Sequence, residues 1–112
     1  MKIEKNERLT QLFGFYGILL TDIQQQYFSD YYFADLSLAE IAENSSVSRQ
    51  AIFDNLKRTV KLLEDYEAKL KLAAHFTQID EGLDVVLAKL EQHELESATT
   101  EVRKIKKIIE EN

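Results

Sequence analysis

Residues 36–61, LSLAEIAENSSVSRQAIFDNLKRTVK, decide the fold. Ser37 and Glu40 stand three apart ahead of an apolar run, the spacing of a capping box in which each side chain closes on a free amide of the helix start. Leu38, Ile41 and Ala42 then give that helix a narrow apolar face. Asn44, Ser45 and Ser46 interrupt it with side chains that bond their own backbone and suit turns. After Val47, Ser48 is a good N-cap, and Ile52, Leu56 and then Val60 or Leu63 resume at helical spacing. The pattern predicts two helices around a tight turn, a helix-turn-helix.

Upstream, residues 2–20 predict a first helix. Leu9, Leu12, Phe13, Tyr16, Leu19 and Leu20 recur at spacings of three and four, and Glu4, Lys5, Glu7 and Arg8 solvate its beginning. Gly14 and Gly17 share one side: either another helix approaches closely there, or each weakens the helix by about 1 kcal/mol relative to alanine. The apolar run 12–20 lacks a small-residue cleavage site and is too short to cross a bilayer, so it reads as a core helix and membrane insertion is not expected. Thr21 and Gln24 form a second capping box, opening a helix through about residue 33. Its aromatics, Tyr27, Phe28, Tyr31, Tyr32 and Phe33, invite a base-stacking role. No Lys or Arg lies between Asp22 and Arg49 to hold the phosphates such stacking needs, so they read as core.

Downstream, the helix begun at Ser48 shows no stop before about residue 74. Ile52, Leu56, Leu63 and Leu70 continue its stripe, widened by Leu62, Leu72 and Ala73. A helix this long outruns a small domain, so its second half needs cover of its own. Phe76, Ile79, Leu83, Val86, Leu87 and Leu90 form a following amphipathic helix with Gly82 a weak point in it. Ser97 can cap a last helix, whose apolar face is Ala98, Val102, Ile105, Ile108 and Ile109. Lys104, Lys106 and Lys107 fall late in it, where cations suit the helix dipole, and residues 110–112 should fray. The expected class is all-α: a helix-turn-helix domain with an N-terminal helix over residues 1–66, and a C-terminal helical extension over residues 67–112 that packs on itself or on a second subunit. A homodimer would bury the apolar stripes and pair two recognition helices on a two-fold site; the alternative is a compact intramolecular bundle.

The 112 residues bound the chain to one domain, or one small domain with an extension. Absence of cysteine excludes disulfides and thiolate metal sites and fits a cytoplasmic protein. The net charge of -6 argues against indiscriminate nucleic-acid binding. It is unevenly spread: residues 36–61 carry four Lys/Arg against three Asp/Glu, whereas residues 62–112 carry seven against twelve.

Residues 20–63 are similar to the fourth region of bacterial sigma factors. Leu20 to Gln24 match its L-T-x-x-Q/E helix start, Tyr31-Tyr32 its aromatic pair, Ser37 to Ala42 its S-L-x-E-I-A and Val47 to Ile52 its V-S-R-x-x-I/V. Over about residues 8–72 the chain more closely resembles the YlxM family of small DNA-binding proteins of Gram-positive bacteria. LFGFYGILLTD, SLAEIAE, SRQAIFDNLKRT and LLEDYE carry that resemblance. It implies a cytoplasmic, all-helical protein with a DNA-binding role. It also implies a link to the signal recognition particle, drawn from the family's gene order beside the particle's GTPase.

A recognition helix sets its N-terminal, outward residues against base edges while neighbouring cations hold phosphates. The candidates here are Ser48, Arg49, Gln50, Phe53, Lys57, Arg58 and Lys61. Arg49 suits guanine and Gln50 adenine, each through two hydrogen bonds, and Lys57, Arg58 and Lys61 suit phosphate. Three features depart from the pattern. Ser46 stands at the turn position usually held by glycine, so it must turn left-handed at a cost near 1 kcal/mol or reshape the turn. Ser45 replaces the usual large apolar residue before it. Phe53 and Asp54 stand where sigma-like helices present basic or small polar side chains. The alternative reading is therefore a protein or RNA partner, such as the particle's GTPase or its RNA. No catalytic constellation, P-loop, dinucleotide turn or nucleophile elbow is present, and His75 and His93 lack converging metal ligands. A non-enzyme without cofactor is expected.

Overall fold

The computed structural model describes residues 3–111. These form six α-helices and one short 3-10 turn, with no strand among the described residues: α1 Glu7–Tyr16, the 3-10 turn Gly17–Leu19, α2 Asp22–Tyr32, α3 Leu38–Ser45, α4 Arg49–Leu70, α5 Leu72–Glu91 and α6 Leu95–Glu110. The all-α class with a helix-turn-helix is what the structure has. Two compact units follow one another, the first ending at Leu70 and the second beginning at Lys71.

In the first unit, local chemistry sets each helix start. Asn6 caps α1 by accepting from the Leu9 amide at 2.9 Å. The expected helix over residues 2–20 is therefore shorter: residues 3–6 are not helical, residues 17–19 tighten into the 3-10 turn, and Lys2 lies outside the described residues. Thr21 and Gln24 form their capping box at the head of α2, and Ser37 and Glu40 form theirs at the head of α3. No helix approaches Gly14, where a Cβ would meet nothing within 4 Å, whereas Gly17 is buried and the atoms nearest to a Cβ there belong to the ring of Phe13.

The first unit packs α1, α2 and α3 around α4. Ile41, Ile52, Leu56 and Leu63 are fully buried, each such side chain stabilising the fold by about 1.5–3 kcal/mol. The aromatics of α2 belong mostly to this core. Phe28 is fully buried and stacks on Phe13 at 4.4 Å and on Tyr32 at 4.2 Å, whereas Phe33 is exposed. Ties of long sequence separation close the unit. Arg8 grips Glu64 of α4 through two hydrogen bonds of 3.1 and 2.8 Å, and the Tyr16 hydroxyl donates to buried Glu67. Tyr31 and Tyr32 donate to the carbonyls of Ile3 and Glu4, strapping the N-terminal segment onto α2.

In the second unit α5 and α6 form a hairpin. Val86, Ala98 and Ile105 are buried between them and Ile79 packs alongside. Gly82 is the point of closest approach, since a Cβ there would stand 2.7 Å from Ile105 Cγ1. Two expectations are corrected. The helix begun at residue 48 does not run to residue 74: it stops at Leu70, where Lys71 turns left-handed (φ 56, ψ 27) and α5 starts afresh. Ser97 does not cap the last helix, which starts at Leu95 with Glu94 in the cap position, so Ser97 lies in its first turn. Glu110 closes α6, and Asn112 lies outside the described residues.

Candidate nucleic-acid interface

The turn between α3 and α4 is short because α3 ends in a left-handed residue. Ser46 sits at φ 56 and ψ 38, its amide reaching the carbonyls of Ala42 and Glu43, while the Val47 amide bonds Ala42 at 3.1 Å. This is a Schellman-type closure, and it satisfies carbonyls that the helix end would otherwise leave open. Ser48 then accepts from the Ala51 amide at 3.0 Å and starts α4. Buried Ile41 and Ala42 of α3 and Ile52 and Leu56 of α4 belong to one cluster, so the two helices are held as a unit.

The structure separates the expected site residues into groups. Arg49, in the first turn of α4, lines a cleft with Lys5, Tyr31, Asp35, Ser37 and Glu40, beside the start of α3. Gln50, Lys57 and Lys61 lie along an exposed side of α4, and Arg58 is exposed further round. Among the described residues, Arg49, Lys57 and Arg58 take part in no ion pair within the chain. Lys61 is held by Asp65 at 3.2 Å, one turn on. Asp54 is not an isolated negative charge: the Gln50 side-chain amide donates to it at 2.9 Å. That bond occupies a donor that adenine readout would use, so Gln50 must release Asp54 before it can read a base.

Phe53 is placed differently from its sequence reading as an outward side chain. It is half-buried, packs against the core cluster and lines a small cavity together with Ile3, Glu4, Lys57 and Val60. The Lys57 ammonium lies 5.4 Å from its ring centre, so Phe53 acts as a platform beneath a cation.

Lys5 is the residue that the sequence pattern does not point to. The strap through Tyr31 and Tyr32 carries it across to α2, where its ammonium pairs with Asp35 at 2.5 Å and lies 4.4 Å from the Tyr31 ring centre. It thereby lines the same cleft as Arg49, 44 positions away in the chain, and no local motif signals such a meeting. Its hydrogen bond and charge hold the Asp35 carboxyl below the usual carboxylate range. Burial, with the neighbouring Tyr31 and Glu4, pushes the Tyr32 phenol up to about 12.

This face presents exposed ammonium and guanidinium groups and a carboxamide beside a capped helix start. Among the described residues no group of three or more His, Cys, Asp or Glu is arranged to hold a metal ion, and no helix is long and apolar enough to cross a membrane.

Comparison with known proteins gives a consistent picture. Residues 3–108 match the family UPF0122, described as "Putative helix-turn-helix protein, YlxM / p13 like". A UPF0122 protein of Streptococcus mutans is 52% identical over 89 residues, covering 80% of this chain and 81% of that protein. One from Streptococcus suis is 53% identical over 89 residues, 80% of this chain and 79% of that protein. One from Limosilactobacillus reuteri is 50% identical over 99 residues, 88% of each chain.

Proposed function

The chain belongs to the UPF0122 family of YlxM/p13-like helix-turn-helix proteins, and on that premise we propose that it is a cytoplasmic regulatory protein that binds double-stranded DNA. The single observation that carries this reading is the set of cations that, among the described residues, take part in no ion pair, Arg49, Lys57 and Arg58, at the start and on the exposed surface of the second helix of the motif. In the reading, Ser48 fixes the start of α4, Arg49 and Gln50 meet base edges, and Lys57, Arg58 and Lys61 hold phosphates. Phe53 supports Lys57. Two such helices brought together in a homodimer fit a two-fold DNA site. The division of labour follows the sequence boundary, residues 1–66 binding and residues 67–112 associating.

Asp54 favours a second reading. A carboxylate within the exposed row is repelled by phosphate unless Gln50 keeps it engaged or it accepts from cytosine. A protein surface carries no such penalty. The rival is an accessory protein that binds the signal recognition particle's GTPase or its RNA, and of these two Asp54 favours the GTPase, since RNA carries the same phosphates as DNA. One titration series at fixed low salt against duplex DNA, particle RNA and the particle GTPase separates the two. Binding to duplex alone is the expected result, and a complex with the GTPase or its RNA in the absence of duplex binding refutes the DNA reading.

A further inference from the structure

The hairpin of the second unit leaves one apolar face uncovered. Along α6, Leu95, Ala98, Val102, Ile105 and Ile109 follow heptad spacing. Only Ala98 and Ile105 are buried against α5, while Leu95, Val102 and Ile109 stay 68%, 42% and 57% exposed. On α5, Ile79 and Val86 face α6, while Leu83 and Leu87 stay 48% and 58% exposed. In an antiparallel hairpin the two exposed stripes fall on the same side. Together they line one apolar side of the hairpin, a grouping of the kind that marks an interaction surface rather than singly scattered apolar side chains.

The edges of that face carry opposite charges. Over the middle of the hairpin, Asp80 and Asp84 lie beyond the α5 stripe and Arg103 and Lys106 beyond the α6 stripe, with Glu110 one turn past Lys106 at the end of α6. Asp80, Asp84, Arg103 and Lys106 are exposed, and none of them takes part in an ion pair within the chain among the described residues. The approach of Gly82 to Ile105 fixes the hairpin register and sets Asp84 level with Arg103, and Asp80 near the level of Lys106. An acidic edge and a basic edge at matching heights on a single chain are complementary to a second copy turned by two-fold symmetry about an axis along the helices. The opposite choice, α5 on α5, would set acid against acid.

We propose that the exposed α5–α6 face is the self-association surface of this protein, taken by a second copy in an isologous four-helix bundle in which α5 packs on the partner's α6. The inference rests on the homodimer of the reading above and names its surface; it does not depend on what α4 binds. The bundle would cover the five exposed apolar side chains Leu83, Leu87, Leu95, Val102 and Ile109 and pair each acidic edge with a basic one.

The test reads the oligomeric state of the full chain by sedimentation or light scattering at micromolar concentration. The unaltered chain is expected to be a dimer, and the double substitution Leu83→Glu with Val102→Glu to be a monomer with unchanged helix content, since both positions are exposed. A second variant tests the pairing. Asp80→Lys with Asp84→Lys should weaken the dimer roughly ten-fold or more by setting like charges together, and mixing it with an Arg103→Glu, Lys106→Glu chain should restore association as a heterodimer. A monomeric unaltered chain overturns the proposal together with the homodimer. A dimer that survives the glutamates overturns the surface alone, and one indifferent to the lysines overturns the α5–α6 pairing. Duplex binding is read separately, so none of these outcomes is confused with failure of the DNA reading.

Discussion

Replacing Ser46 by glycine tests whether the turn is built as described. A non-glycine residue in the left-handed region costs roughly 1–2 kcal/mol, because Cβ crowds the following carbonyl. Glycine removes that crowding but loses about 0.4–1 kcal/mol through its greater freedom in the unfolded chain. The remaining bonds of the turn are backbone bonds, from Ser46 to Ala42 and Glu43 and from Val47 to Ala42, and they survive the change. The serine hydroxyl makes no hydrogen bond among the described residues, so little else is lost. Ser46→Gly should therefore stabilise the first unit by about 0.5–1 kcal/mol, which for a unit of this size raises Tm by about 2–8 °C. Ser46→Val should do the reverse, since a β-branched side chain fits this region worst. All five tyrosines lie between residues 16 and 66, so tyrosine fluorescence during thermal unfolding reports the first unit alone. A glycine variant no more stable than the parent, or a valine variant equal to it, refutes the argument.

Two glycines should respond oppositely to alanine. At exposed Gly14 a Cβ has open space, and Gly14→Ala should gain up to about 1 kcal/mol of helix propensity. At Gly82 the same change should cost about 1–3 kcal/mol of overpacking against Ile105, more than the propensity returns, seen as earlier loss of far-UV helix signal. Stability should also fall at high pH. The Tyr32 pKa is raised in the folded chain, so its contribution is complete below the ordinary tyrosine value near 10 and is lost as pH rises through about 12. Denaturant titrations across that range should show a steeper loss for the parent than for Tyr32→Phe.

Both capping boxes and the apolar face of the motif were legible in the sequence because helix starts are written in local chemistry. Helix ends in this chain are not. Asp35, Ser46, Lys71 and His93 are left-handed, and no glycine has a positive φ. The three glycines instead lie within helical segments, Gly14 in α1, Gly17 in the 3-10 turn and Gly82 in α5. The usual punctuation is thus inverted, and the break at Lys71, flanked by two leucines in helical register, gives no warning. The position of Ser46 was readable only because the motif around it demands a left-handed residue. The candidate site was legible as a set of residue types on α4. That Lys5 reaches the cleft of Arg49, that Phe53 turns inward beneath Lys57 and that Gln50 engages Asp54 depend on packing across the unit and on rotamers, which spacing along one helix does not encode.

The central claim is that Arg49 and Lys57 hold nucleic-acid phosphate or base edges. Its most direct measurement is the salt dependence of duplex DNA affinity for the parent chain and for Arg49→Ala with Lys57→Ala. With Lys57 on phosphate and Arg49 on a base edge, the slope of log K against log salt should shrink by about 0.9 in the double variant, the share of one phosphate contact, while affinity falls further through the lost base contact. A loss of about 1.8 would place Arg49 on phosphate as well. An unchanged slope, or a parent chain that does not bind duplex even at low salt, would contradict the account.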